Sequence, residues 1–315
     1  MKKTWLIIAP LSIFALASCK TVTKTTTTND LITTSEVETS ISSSSTDIIS
    51  STSTSTSTTK IEYTGYYEAL NSINLFDQDT LVSTLNGVIS KDLKSSSYAN
   101  LWTVLAEADA YDDDNIECFY TGQLISKTNH GGSNGQWNRE HVWAKTYGFG
   151  NLSNNYAYYD AHHLHATEVS INSNRANLPF DEVDNPTKSD SYGNKWDSTA
   201  FEPRDEVKGD VARSLFYMVV RYGDTLGLTL KDTTTLTGGS PNMGKLSTLL
   251  KWAYEDPVSE KEIKRNEAVY KYQNNRNPFI DHPELTYYLY QEESNVLGVY
   301  KDDIEKIANG DVFLF

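Results

Sequence analysis

Four of the six histidines in this chain fall between residues 141 and 165, inside two segments that also carry carboxylate, amide and guanidinium groups. The first segment is Trp137-Asn-Arg-Glu-His-Val-Trp143. The second runs from Asp160-Ala-His-His-Leu-His165 to Asn172-Ser-Asn-Arg-Ala-Asn177. A hard divalent cation wants oxygen ligands, and Mg2+ keeps several waters and takes only one or two protein groups. Glu140 and Asn172 supply oxygens of that kind. His141, next to Glu140, supplies a base whose ordinary pKa of about 6.5 lies near neutral pH. Arg175 adds a guanidinium. Such a set suits hydrolysis of a phosphodiester: the imidazole activates water, the cation stabilises charge at phosphorus and the leaving oxygen, and arginine holds phosphate. The same stretch permits another chemistry. His162, His163 and His165 could hold zinc, because an HxH spacing on a strand points two imidazoles the same way, although no Cys ligand or HExxH helix accompanies them.

These residues need elements to position them. Leu81, Leu85, Val88 and Ile89 recur at helical spacing, as do Leu101, Val104, Leu105 and Ala108. Ile116 to Tyr120 reads as a short strand and residues 121–136 as a loop. Val207, Val211, Leu215, Met218, Val219 and Tyr222 keep a 3.6-residue period that predicts a helix stopping at Gly223. Leu246, Leu249, Leu250 and Ala253 predict another helix, and Asp256-Pro257 opens a polar helix through Tyr272. Glu168, Asn172 and Arg175 stand at i−4, i and i+3, which would place them on one helical face. Asp112, Asp113 and Asp114 lack EF-hand spacing and read as a solvated acidic loop.

The chain has 315 residues, with 27 Lys and Arg against 42 Asp and Glu and a net charge of −15. That balance excludes a generally basic nucleic-acid coat protein. It does not exclude a nucleic-acid enzyme, since net charge describes the whole surface and not one cleft. Residues 1–18 read as a secretory signal, with Lys2 and Lys3 ahead of an apolar run from Trp5 to Ala17 too short to span a membrane. Leu16-Ala17-Ser18-Cys19 resembles a bacterial lipobox, which implies a lipoprotein signal peptide and lipidation of Cys19. An ordinary cleaved signal with an incidental Cys is the alternative. Acyl chains on Cys19 would anchor the chain to the outer face of the cell membrane. Residues 19–60 are dominated by Ser and Thr and cannot bury enough surface to offset chain entropy, so they read as a disordered linker. A catalytic domain is expected over 61–290, followed by an extension over 291–315.

Four signatures in order carry a resemblance to a known family. Asn138-Arg-Glu-His141 with Trp143 is the first. Asp160-x-His162-His163-Leu164 followed by Asn172-x-x-Arg175-x-Asn177 is the second. Lys208-Gly-Asp-Val-Ala-Arg213 with Phe216-Tyr217-Met218 is the third. Arg265-Asn266 and Gln273-x-Asn275-Arg276-Asn-Pro-Phe-Ile-Asp-His-Pro-Glu284 form the fourth. Over about residues 66–290 the chain resembles the bacterial endonuclease I family, secreted or periplasmic nucleases with a ββα-metal (His-Me) finger. Ala144 and Ala166 stand where family members often have Pro, which bears on loop stiffness more than on chemistry.

The resemblance implies an α+β fold, mainly helical, around a small ββα-metal finger. It implies His141 as general base, Glu140 and Asn172 as ligands of a single Mg2+ (with Mn2+ or Ca2+ as alternatives), and Arg175 as a finger residue that supports the helix or binds phosphate. His162 matches a position beside the finger with an orienting role. Lys208, Arg213 and Arg276 are supporting or phosphate-binding candidates. The implied activity is internal cleavage of DNA, with RNA as a second substrate, leaving 5′-phosphates. Little sequence preference is expected, because backbone contacts carry no base information and no base-reading motif is present. Nucleic acid as substrate and the membrane, through the lipid anchor, are the expected partners, and no protein partner is expected. Two rival readings are an inactive nuclease-like binding lipoprotein on the cell surface and a zinc-dependent hydrolase built on the HHxH cluster.

Overall fold

In a computed structural model, residues 61–94, 96–150, 155–237 and 239–315 are described. The signal peptide 1–18, Cys19 and the linker 19–60 lie outside them. The described chain belongs to one unit that runs to Phe315. Two helices open it, α1 (Gln78–Ser90) and α2 (Leu101–Ala108), followed by a short antiparallel pair, β1 (Asn115–Glu117) and β2 (Leu124–Ser126). The predicted strand 116–120 is thus shorter than its apolar run, because Cys118 to Thr121 turn: Gly122 N–H donates back to the Cys118 carbonyl at 2.8 Å.

The antiparallel pair β3 (Trp137–His141) and β4 (Leu164–Glu168) leads directly into α3 (Val169–Arg175), which is the ββα unit. Three two-residue strands follow, β5 (Lys188–Ser189), β6 (Lys195–Trp196) and β7 (Phe201–Glu202). Next comes the long helix α4 (Lys208–Leu226) and a parallel pair, β8 (Thr229–Lys231) with β9 (Asn242–Lys245). The rest is helical: α5 (Leu246–Glu255), α6 (Glu260–Gln273), α7 (Pro278–Asp281), α8 (Leu285–Leu289), α9 (Gln291–Val296) and α10 (Ile304–Ala308). The fold is α+β, with helices around small sheets. Among the described residues no helix is long and apolar enough to cross a membrane.

Two apolar clusters form the core. The larger gathers α1, α4, α5 and α8. The smaller packs Leu101, Val104 and Leu105 of α2 and Val269 of α6 against Trp137, Leu164 and Ala166 of the finger. One face of the β3–β4 pair is therefore bolted to two helices, which fixes where its other face points. Arg265 of α6 adds polar ties on that side: Nε pairs with Asp109 at 2.8 Å, and Nη2 donates to the carbonyls of Ala161 and Leu164.

Two helix boundaries and the C-terminal extension differ from the sequence expectation. Helix α4 runs through Gly223 and ends at Gly227, whose φ of +66° is the left-handed conformation that suits a C-terminal glycine. Helix α6 starts later than Asp256-Pro257, at Glu260, where a capping box of the N-cap Ser259 with Glu262 satisfies the first free N–H groups. Residues 291–315 belong to the same unit as the catalytic domain: Ile304 and Ile307 are buried in the larger core, and Phe313 N–H donates to the Tyr254 carbonyl at 3.0 Å.

Candidate active site

The strand register decides which side chains share a face. On β3, Asn138 and Glu140 point to one side, with His165 and Thr167 as their cross-strand partners. Arg139 and His141 point to the other side. Helix α3 lies over the Asn138–Glu140 side. Asn172 Nδ2 donates to Asn138 Oδ1 at 2.6 Å, and Arg175 Nη1 lies 3.1 Å from Glu140 Oε1. Asn172 and Glu140 thus sit on the same side of the finger, about two strand steps apart.

Glu140 is 2% exposed and is held by two groups, the Arg175 guanidinium and the Tyr120 hydroxyl at 2.8 Å. Both contacts fall on Oε1. Burial pushes the carboxyl above its ordinary pKa, and Arg175 and Tyr120 pull it back. Arg175 is 1% exposed. Its Nη1 also donates to the His141 carbonyl at 2.7 Å and its Nη2 to the Val142 carbonyl at 2.6 Å. With both terminal nitrogens engaged inside the protein, Arg175 positions the end of β3 and the Glu140 carboxylate. It has no surface for a phosphate.

His141 is the last residue of β3. Its Nε2 lies 2.9 Å from the Tyr158 carbonyl, which only accepts, so Nε2 carries the proton and Nδ1 keeps the lone pair. Burial, with His163 next in weight, holds its pKa well below the ordinary imidazole value. The ring is therefore neutral at physiological pH, as a base must be.

A cation bound here would be held by the carboxylate of Glu140 and the amide oxygen of Asn172. The residues fit that role. The Asn172 amide nitrogen is committed to Asn138, which turns its oxygen free, and Glu140 keeps Oε2 clear of the Arg175 and Tyr120 contacts. One carboxylate and one amide oxygen match an ion that retains most of its water. Among the described residues no group of three or more His, Cys, Asp or Glu side chains converges as a metal site.

The zinc reading of the HHxH cluster does not hold. His162 Nε2 faces the Asn275 carbonyl at 3.0 Å, His163 Nε2 the Ala157 carbonyl at 2.7 Å, and His165 Nε2 the Ser214 hydroxyl at 3.4 Å. His162 and His163 precede β4 in a turn, so strand alternation does not align them with His165. His162 is buried beside Asp160 and the Tyr217 ring, within a network completed by Tyr222, Gln273 and Asn275. Burial works against ionisation of Asp160, but His162 and hydrogen bonds from Gln273, Tyr222 and Tyr217 hold its carboxyl below the usual range.

The remaining candidates are tied up within the protein. Arg213 is 1% exposed and bidentate on Glu262, at 2.6 and 2.8 Å, so the phosphate-contact reading fails for it. Lys208 pairs with Glu202 at 2.9 Å and Asp205 at 2.8 Å. Arg276 is bidentate on Asp281 and also meets Glu267 at 2.9 Å. Glu168 is not on the Asn172 face. It is the N-cap of α3 and accepts from the N–H groups of Ser170 and Ile171. Two residues that sequence reasoning assigned no role hold the site together, Tyr120 on Glu140 and Asn138 on Asn172. Asn138 was visible as part of the first signature. Tyr120 carried no signal.

A family described as Endonuclease I matches residues 78–284. The chain belongs to the endonuclease I family. An extracellular ribonuclease of Bacillus amyloliquefaciens is 48% identical over 211 residues, which cover 65% of this chain and 71% of the relative. An extracellular ribonuclease of Bacillus subtilis (strain 168) is 47% identical over 213 residues, 65% of this chain and 72% of the relative. As an endonuclease I family member the protein is a nuclease, an enzyme that hydrolyses nucleic acid. The matched region contains the ββα unit, α4 and α6.

Proposed function

We propose that this chain is a secreted, metal-dependent endonuclease that cuts RNA and DNA with little sequence preference. The observation that carries the reading is the His141 imidazole, held neutral with Nδ1 as its free base, at the end of a strand whose preceding carboxylate meets α3 beside Asn172. Extracellular ribonuclease relatives support RNA as a substrate and secretion as the destination. Membrane attachment through Cys19 remains part of the proposal and rests on the lipobox alone.

His141 takes a proton from water at Nδ1, and the hydroxide attacks phosphorus in line with the departing 3′ oxygen. A divalent cation on Glu140 and Asn172 would supply charge stabilisation at the leaving oxygen. The Tyr158 carbonyl fixes the tautomer and orientation of His141. Arg175 holds the His141 and Val142 carbonyls and the Glu140 carboxylate in one arrangement. None of these groups needs a 2′-hydroxyl, so the same machinery serves both sugars. The products carry 5′-phosphate and 3′-hydroxyl ends.

The test is incubation of the chain with plasmid DNA and with RNA, each with Mg2+ and with EDTA, followed by end-group analysis. Cleavage of both, lost in EDTA and restored by Mg2+, with 5′-phosphate ends, is expected. Undiminished cutting in EDTA would overturn the metal role. Cyclic 2′,3′-phosphate ends on RNA would mean that a 2′-hydroxyl attacks, and His141 would then serve a different reaction.

A further inference from the structure

Most arginines of this acidic chain are matched to acids. Arg175, Arg204, Arg213, Arg265 and Arg276 each sit against a carboxylate. Arg139 has no carboxylate within ion-pair distance among the described residues. Its guanidinium carbon lies 3.6 Å from the centre of the Tyr98 ring and 3.9 Å from that of Trp102, between two half-buried aromatic side chains. Nη1 donates to the Tyr98 carbonyl at 2.6 Å, and Nε is buried without a partner. Arg221 on α4 also lacks a carboxylate, but it is not part of the finger.

The clamp is continuous with the base. The Tyr98 ring stacks toward His141 at 5.9 Å and tilts against Tyr158 at 4.7 Å, and Tyr158 provides the carbonyl that orients His141. On the far side His130 stacks on Trp102 at 4.3 Å. Arg139 and His141 are two residues apart on one face of β3, a separation of about 6.6 Å along the strand. Lys145, exposed, reaches over the other flank of the site, 5.5 Å from the Tyr158 ring. In a chain with 42 acidic residues, a partly buried guanidinium that has an aromatic clamp and no acid is short of one thing, an anion. Two rings packed against it restrict how the guanidinium can turn, and a guanidinium of restricted orientation reads a phosphate well.

We propose that Arg139, clamped between Tyr98 and Trp102 beside His141, binds the phosphate next to the scissile one in an RNA strand. This rests on the reading of the chain as a nuclease that cuts RNA. Arg139 then sets how the strand registers against His141, and takes no part in the bond breaking.

The test compares Arg139→Met and Arg139→Lys. In a His141→Ala background, binding of a short single-stranded RNA is titrated at several salt concentrations. Arg139→Met is expected to weaken binding by about tenfold to a hundredfold. It is also expected to flatten the plot of log K against log salt by about 0.7, the share of one single-strand phosphate. Arg139→Lys should keep the slope and lose part of the affinity, since it keeps the charge and loses the plane. In the active chain, Arg139→Met should raise KM for the oligonucleotide and leave kcat within about a factor of three, an expectation that follows from uniform binding. A dinucleoside monophosphate has only the scissile phosphate, and the chain and its Arg139→Met variant should cut it equally. An unchanged salt slope, or the same loss on the dinucleoside as on the oligonucleotide, would overturn the proposal. If the chain cuts no RNA at all the RNA-cleaving reading fails, while the slope in the silent background still reports on Arg139.

Discussion

Two buried arginine–carboxylate pairs occupy corresponding places in the chemistry of this chain and differ in how completely they are satisfied. At the junction of α4 and α6, Arg213 meets both oxygens of Glu262, its Nη1 donates to the Asp256 carbonyl at 2.8 Å, and Asp210 lies 3.6 Å away. Glu262 in turn caps α6 by accepting from Ser259 N–H at 3.0 Å. In the finger, Arg175 and Tyr120 share a single oxygen of Glu140, and Arg175 Nε is buried without a partner. A saturated pair is part of the architecture. An unsaturated one, with a carboxylate oxygen and an amide oxygen left over beside a neutral imidazole, is where a ligand completes the set.

The largest expected difference comes from removing the acid of each pair. Glu140→Gln should lower turnover by at least about a hundredfold, the scale for losing a preorganised charge-stabilising group. It should also lower the melting temperature, because Arg175 is left buried with two backbone carbonyls and no carboxylate. His141→Ala should lose roughly 10^2–10^4-fold as a missing general base, with the fold kept. Glu262→Gln should cost stability alone. It leaves Arg213 buried with its main partner neutralised, a loss on the order of 3–5 kcal/mol, with activity per folded molecule unchanged. Thermal unfolding alongside plasmid nicking separates the two patterns. A Glu262→Gln chain that unfolds like the parent but cuts poorly would erase the distinction.

A smaller effect tests the saturated pair from its backbone side. Gly209, in the first turn of α4, donates its N–H to the Asp256 carboxylate at 2.8 Å, and the Arg213 guanidinium covers it. A Cβ at this position would overlap the Asp256 carbonyl and come within 2.5 Å of Arg213 Nη2. Gly209→Ala normally favours a helix by about 1 kcal/mol. Here it should destabilise by about 1–3 kcal/mol through overpacking. A rise in the urea midpoint would mean that the junction yields more than its geometry suggests. The Lys208-Gly-Asp-Val-Ala-Arg213 signature thereby acquires a structural meaning: its glycine makes room for the arginine one turn later.

The finger was the most legible part of the sequence because its information is local. Glu140 and His141 are neighbours, and Asn172 and Arg175 are three residues apart on one short helix, and the ordered signatures linked the two segments. Groups brought in from elsewhere left no such trace. Tyr120 reaches Glu140 across 20 residues from a turn that reads as strand, and the Tyr158 contribution is a backbone carbonyl, which no sequence pattern displays. Arg213 and Glu262 meet across 49 residues. Whether Arg213 faced phosphate or carboxylate could not be read from its neighbours, since helical periodicity gives a face and not a partner. The HHxH run failed for the opposite reason. Its spacing suggested convergence, but the turn before β4 ends the alternation on which that inference depends.

The last expected difference is in how the two regions respond to acid. Burial, the main cause, lowers His163 to a pKa of about 4, from its ordinary 6.5. Its folded form therefore resists protonation, and the unfolded chain binds the extra proton between those two values. Stability from the finger side should be complete above about pH 6.5 and fall as pH drops toward 4, by roughly 3 kcal/mol at most. Asp256 works in the other direction. Burial, again the main cause, raises it to about 6 from 3.8, so its folded form holds a proton that the unfolded chain has released. Its contribution is present below about pH 3.8 and lost as pH rises through 6. Urea midpoints measured from pH 4 to 7 should therefore flatten at the acid end in His163→Gln, which stays neutral and can still donate to the Ala157 carbonyl. In Asp256→Asn the decline toward neutral pH should disappear instead. If both variants change the same limb of the curve, the finger and the α4–α6 junction do not titrate as separate sites, and the contrast drawn between them fails on the acid side.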